Sequence, residues 1–235
     1  MALPQLNTAT YSVYVPGLGK DVSFRPYLVK EEKILMLAME SNDQKMILKA
    51  VKDIIQACVM DDVDVDNLAV FDVELLFINL RQKSVGEGID VNIKCTECGT
   101  ENPVELDLDK IDVPEIDQEK LVVMLTEDVG LQMRYPSFKD IQRFKPEELE
   151  KIDGIMALLQ ECIMSIFDSD EIHEADSLSK KELEEFINGM NSEQFAKLGG
   201  FFNDMPALKT EIKFKCAHCE AENLHELRGI QSFFT

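Results

Sequence analysis

The feature that most limits what this chain can fold into is a segment of thirteen residues that occurs twice. Lys94-Cys-Thr-Glu-Cys-Gly-Thr-Glu-Asn-Pro-Val-Glu-Leu106 aligns without a gap to Lys215-Cys-Ala-His-Cys-Glu-Ala-Glu-Asn-Leu-His-Glu-Leu227, with seven of the thirteen positions identical. Each copy follows an alternating apolar/polar run and precedes another, so each reads as a knuckle at the tip of a two-stranded ribbon. Zn²⁺ has no directional d-electron preference and takes soft thiolates in a tetrahedron. Two residues between cysteines let one tight turn aim both sulfurs at one ion, and two pairs complete the four ligands. The spacing therefore predicts that Cys95, Cys98, Cys216 and Cys219 hold one structural Zn²⁺. Four cysteine ligands leave no open coordination position, so the site is read as structural and not catalytic. The span of 121 positions from Cys95 to Cys216 is no obstacle, because loop-closure entropy grows only logarithmically with length. The competing use of Cys-x-x-Cys is thiol–disulfide exchange. That motif normally opens a helix after a strand, whereas each pair here lies between strands.

Around the knuckles the periodicity predicts an α+β protein: two helical clusters joined by short antiparallel ribbons. Residues 1–28 read as an N-terminal hairpin, with Tyr11–Val15 and Asp21–Phe24 alternating about Pro16-Gly-Leu-Gly19. Residues 29–88 read as a first helical cluster, with helices over 29–40, 44–60 and 68–82. Residues 89–136 form a β region carrying the first knuckle and a second hairpin over 122–135. Residues 137–209 form a second helical cluster. In it the apolar run Gly154–Phe167 is read as one helix, 168–177 as a polar loop, and Ser179 with Glu182 as a capping box. Residues 210–235 carry the second knuckle and a C-terminal tail. On this reading the ion fixes the two helical clusters relative to one another.

Composition narrows the function classes. The formal charge is −21, from 45 acidic and 24 basic side chains, a field that repels a phosphate backbone and anionic lipid. No nucleic acid and no membrane are expected as partners, which weighs against a zinc-ribbon adaptor for transcription. Met1–Thr10 lacks the pattern of a secretory leader, so a cytosolic chain with reduced thiols is expected. Cys58 and Cys162 fall on apolar helix faces and read as inert core thiols. His173, His218 and His225 have no local catalytic partner pattern. Asp62, Asp64 and Asp66 open like a calcium loop, but Asn67 and Val73 stand where such a loop needs glycine and glutamate. No phosphate loop or nucleophile elbow is present, so no enzyme is expected. The aromatic doublets Phe201-Phe202 and Phe233-Phe234 are expected to dock on the fold itself, and most of the eleven methionines to lie in the core.

An ordered set of landmarks resembles the base-plate protein family of T4-like bacteriophages. These are Phe24-Arg-Pro-Tyr27, Glu31-Glu-Lys33, Leu37-Ala-Met-Glu-Ser41 and Leu80-Arg-Gln-Lys-Ser-Val-Gly-Glu87. The first knuckle and Met133-Arg-Tyr-Pro136 follow. Phe201-Phe-Asn-Asp-Met-Pro206, the second knuckle and Leu227-Arg-Gly-Ile-Gln-Ser-Phe-Phe234 complete the set. The resemblance implies a non-enzymatic viral protein, made late in the host cytoplasm. It implies a component or assembly chaperone of a tail baseplate hub, located in the host cytoplasm or the virion tail baseplate. Its implied partners are other baseplate hub proteins and the tape-measure protein. The resemblance carries over no catalytic residues.

Overall fold

The structure is a computed structural model and describes residues 7–41, 43–108, 111, 116–149 and 151–228. The aromatic doublet Phe233-Phe234 and most of the last landmark lie outside the described residues. The chain divides into two compact units, one built from Met1–Pro114 with Ala207–Thr235, the other from Glu115–Pro206.

The first unit opens with an antiparallel hairpin, β1 (Tyr11–Val15) and β2 (Lys20–Phe24). Three helices follow: α1 (Val29–Glu40), α2 (Gln44–Cys58) and α3 (Val70–Val85). The carboxylate of Asp43 accepts from the Lys45 N–H at 2.9 Å and starts α2, supplying a partner for one of the donors that a helix start leaves free. α3 is buried over most of its circumference, from Phe71 through Leu80, as expected for a helix covered on several sides. Two further ribbons complete the unit: β3 (Gly88–Lys94) with β4 (Glu101–Asp107), and, after the second unit, β9 (Lys209–Lys215) with β10 (Glu222–Arg228). Leu75 and Ile78 of α3 share one apolar cluster with Ile89, Val91 and Ile93 of β3, Leu106 of β4, and Leu208 and Ile212 at β9. The two ribbons are therefore rooted in a common core.

The second unit holds a four-stranded antiparallel sheet in sequence order. Its strands are β5 (Val122–Met124), β6 (Gly130–Met133), β7 (Ile163–Phe167) and β8 (Ile172–Glu174). Between β6 and β7 run α4 (Phe138–Gln142), α5 (Pro146–Leu149) and α6 (Ile152–Cys162). After β8 come α7 (Lys180–Asn188) and α8 (Ser192–Asn203). The capping box of Ser179 and Glu182 forms, with the Ser179 hydroxyl accepting from the Glu182 N–H at 3.3 Å and the Glu182 carboxylate accepting from the Ser179 N–H at 2.7 Å. The single helix expected over 154–167 ends at Cys162, and Ile163-Met-Ser-Ile-Phe167 continues as β7. Pairing with β6 on one side and β8 on the other decides it, because a short apolar run rich in isoleucine suits either period. The polar stretch 168–177, expected as a loop, contains β8.

The α+β architecture with helices and short antiparallel sheets thus agrees with expectation. One local arrangement recurs in both units. The Arg25 N–H donates to the Cys58 carbonyl at 3.0 Å, and the Arg134 N–H to the Cys162 carbonyl at 2.8 Å. Each guanidinium reaches an acid six residues on, Glu31 at 2.9 Å and Asp140 at 2.6 Å. Each acid in turn accepts the N–H that opens the next helix, Leu28 or Ser137, both at 2.9 Å.

Candidate metal centre

The turn of each knuckle is closed by its own backbone. The Cys95 N–H donates to the Thr100 carbonyl and the Gly99 N–H to the Cys95 carbonyl, both at 2.9 Å; Cys216 with Ala221 and Glu220 with Cys216 repeat this at 2.9 and 3.0 Å. Closing so tightly requires a positive φ just after the second cysteine. Gly99 supplies it at 72°, and Glu220, a residue with a Cβ, adopts it at 61°.

The turns bring all four sulfurs together, each within 4.8 Å of the others. Cys95 faces Cys219 and Cys98 faces Cys216, both with Sγ–Sγ distances of 3.6 Å. Four sulfurs about 2.3 Å from a central Zn²⁺ stand roughly 3.8 Å apart in a regular tetrahedron, so the spacing fits a tetrathiolate site. A disulfide needs about 2.05 Å, and the facing sulfurs are well beyond that. Cys95 and Cys216 are buried, while Cys98 and Cys219 are exposed.

The thiols are electrostatically divided. The Cys98 N–H and then that of Glu97 hold Cys95 below the usual thiol range. The Cys219 and His218 N–H groups do the same for Cys216, which sits at about 6. For Cys219 the Ala221 N–H favours the thiolate, but the sulfurs of Cys98, Cys95 and Cys216 together push it up to about 12. Like charges this close cannot all ionise on their own. A divalent cation at the centre removes that conflict.

Two residues that sequence reasoning passed over complete the cluster. Asn102 and Asn223 are both buried, and both amides reach across to the opposite knuckle. Their signal was present in the sequence, since the Asn is one of the seven identities in the repeat, seven positions after the first cysteine of each copy.

The remaining candidates have other roles. Cys58 and Cys162 are fully buried, and burial pushes their thiols up to about 11 and about 12, which leaves them un-ionised and inert. His173 and His218 are exposed, and His225 stacks on Phe214 with ring centroids 5.8 Å apart. Asp64 accepts from the Asp66 N–H at 3.2 Å and Asp66 pairs with Lys52, so this acidic stretch serves a turn. Phe201 is buried and stacks on Tyr135 at 5.4 Å, with Phe202 edge-on to it, so this doublet docks within its own unit. The methionines depart from expectation. Met133 is fully buried, but Met36, Met46, Met60, Met124 and Met164 are exposed. They fall on outward positions of helices, strands and loops.

The family model described as T4 bacteriophage base plate protein matches residues 8–235. The chain belongs to that family. This base plate protein is similar to the baseplate hub assembly protein gp26 of Enterobacteria phage T4, with 28% identity over 222 residues that cover 92% of this chain and 93% of the relative. No solved structure matches it. The four cysteines all belong to the first unit of this base plate protein. The expectation that an ion joins two helical clusters is corrected accordingly: the cluster links the two chain segments of one unit, on either side of the inserted second unit.

Proposed function

We propose that this chain helps to assemble the hub of a contractile-tail phage baseplate, without catalysing a reaction, by binding other baseplate proteins. The observation that carries this reading is family membership over 8–235, joined to a relative of nearly equal length whose name states baseplate hub assembly. The tape-measure protein is the further partner proposed. The host cytoplasm is the proposed site of action for an assembly chaperone, and the virion tail for a resident component. The experiment is a phage carrying a stop codon early in this reading frame. Infected cells are expected to accumulate hub precursors and tails lacking baseplates, with rescue by the chain supplied in trans. Normal baseplates without the chain would refute the reading. Mass spectrometry of purified virions then separates a chaperone, absent from them, from a component, present in fixed copy number.

Within that role Cys95, Cys98, Cys216 and Cys219 hold one structural Zn²⁺. The support is geometric: four sulfurs within 4.8 Å of one another, carried by two copies of one knuckle and backed by peptide N–H groups. When bound, the ion neutralises mutually repelling thiolates and ties the two segments of the first unit together. Native mass spectrometry is expected to show one zinc per chain that is lost on chelation. A chain of apo mass from zinc-replete cells would refute the site.

A further inference from the structure

The amide of Asn102 makes three contacts. Its oxygen accepts from the Ala217 N–H of the second knuckle at 2.8 Å. Its nitrogen donates to the Thr100 carbonyl of its own knuckle at 2.8 Å and to Cys216 Sγ of the other at 3.6 Å. Asn223 mirrors this. Its oxygen accepts from the Thr96 N–H at 2.9 Å and the Thr96 hydroxyl at 3.0 Å. Its nitrogen donates to the Ala221 carbonyl at 3.0 Å and to Cys95 Sγ at 3.5 Å. The two residues are 3% and 4% exposed, and they occupy equivalent positions of the repeat. The arrangement is a local two-fold one: each knuckle lends an amide to the first cysteine of the other.

Only asparagine meets these demands at this reach. One face must accept a peptide N–H and the other must offer two N–H donors. Aspartate keeps the acceptor, loses the donor to sulfur and adds a negative charge beside thiolates. Alanine takes away both the acceptor for the opposite knuckle's part-buried peptide N–H, Ala217 or Thr96, and the donor to sulfur, which is costly. Hydrogen bonds to ligating sulfur drain charge from it and fix its direction, as outer-shell partners of metal ligands do generally.

We propose that Asn102 and Asn223 form a reciprocal clasp that docks the two knuckles on each other and positions Cys216 and Cys95 for the metal. The clasp rests on the reading of the four cysteines as a metal site, and it bridges residues 127 positions apart, Thr96 and Asn223. They are positioning residues and not ligands, so their loss alters the quality of the site while the ligand count stays at four.

The test uses the full chain loaded with Co²⁺, which reports tetrahedral sulfur ligation by its visible and charge-transfer absorption. For Asn102→Asp and Asn223→Asp, one Co²⁺ per chain is expected to remain. Affinity against a competing chelator should fall about 10- to 100-fold, and the sulfur-to-cobalt charge-transfer band should shift. Wild-type affinity and band position in both variants, whatever happens to melting temperature, would overturn the clasp and leave the metal site standing. Wild type that takes up no Co²⁺ would overturn both. Should the variants not fold, wild type loaded with NMR-active cadmium decides. The side-chain NH₂ protons of Asn102 and Asn223 are expected to correlate with the metal nucleus through the hydrogen-bonded sulfur, and fast-exchanging, uncoupled amides would overturn the proposal.

Discussion

A buried carboxyl without full compensation marks Asp72, in the first turn of α3. It is 1% exposed; the Gly17 N–H donates to its Oδ1 at 3.1 Å, and its Oδ2 has no hydrogen-bond partner among the described residues. Burial raises its pKa from 3.8 to about 6 against the smaller effect of the Gly17 N–H. The folded protein therefore holds a proton that the unfolded chain has already released as pH climbs between these values. Stability falls across that window and stays at the lower level above it. Asp72→Asn keeps an acceptor for Gly17 and removes the charge. It is expected to raise unfolding free energy at neutral pH by about 1–2 kcal/mol, net of one new unpaired donor. Denaturant titrations at pH 4.5 and 7.5 check this, since the gain should shrink at the lower pH. The knuckle turns give a paired prediction at the same scale. A side chain in the left-handed region costs about 1–2 kcal/mol, so Gly99→Ala is expected to destabilise by about 1 kcal/mol. Glu220→Gly is expected to be neutral or stabilising by up to about 1 kcal/mol, despite losing the 3.1 Å contact to Lys215. Thermal melts of the two variants should move in opposite directions or only the first should move.

At the scale of elements, the recurring arginine–carboxylate arrangement explains how each hairpin is fastened to the helix that follows it. Burial alone would raise the carboxyl pKa of Glu31 and of Asp140. The Arg25 and Arg134 guanidiniums and the helix-opening N–H groups outweigh it and hold both below their usual range. These pairs therefore stabilise above the unfolded carboxyl pKa, and that contribution is lost as pH falls through the folded one. Arg134→Ala leaves a 4% exposed carboxylate without its cation and is expected to cost about 2 kcal/mol, discounted from a fully buried pair because the arginine is partly solvated. Arg134→Ala with Asp140→Asn should recover part of that, and acid unfolding of the single variant should begin at higher pH than in wild type. This arrangement was only half legible. Phe24-Arg-Pro-Tyr27 and Met133-Arg-Tyr-Pro136 stood out as landmarks, yet the shared partners, Cys58 and Cys162, lie about thirty residues further along each unit and no local pattern links them. Helices with strong periodicity or caps, such as α2 and α7, were readable because the information is local. Ile163–Phe167 was not, because its conformation is set by the neighbouring strands β6 and β8. The sulfur cluster was readable across 121 positions because a repeated motif with a known ligand geometry carries its own long-range constraint. The asparagines are legible as one of the seven identities of the repeat, but their partners Ala217 and Thr96 lie in the opposite copy, and no local pattern links them.

The whole molecule has two compact units, and the first is discontinuous: its chain leaves after the β4 ribbon and returns at β9. Such a unit loses conformational entropy when its two segments meet, and that cost rises with the length of chain between them, though slowly. Among the groups that hold β9 and β10 to the rest are the core residues Leu208 and Ile212, the asparagine clasp and the four sulfurs. Metal binding by ligands brought together only in the folded state contributes directly to folding free energy. With Zn²⁺ held as proposed, chelation is therefore expected to act unequally. Hydrogen exchange should accelerate in β3, β4, β9 and β10, where the knuckles are based, while the sheet β5–β8 and α6–α8 of the second unit, which carry none of the ligands, keep their protection. A loss of about 3 kcal/mol in a unit of this size corresponds to roughly 10 °C in melting temperature, so calorimetry before and after chelation should show one transition moving and another staying in place. Uniform loss of protection across both units would mean that the sulfur cluster stabilises the chain as a single cooperative block. Unchanged exchange in the ribbons would mean that the shared core under α3 holds them without the metal.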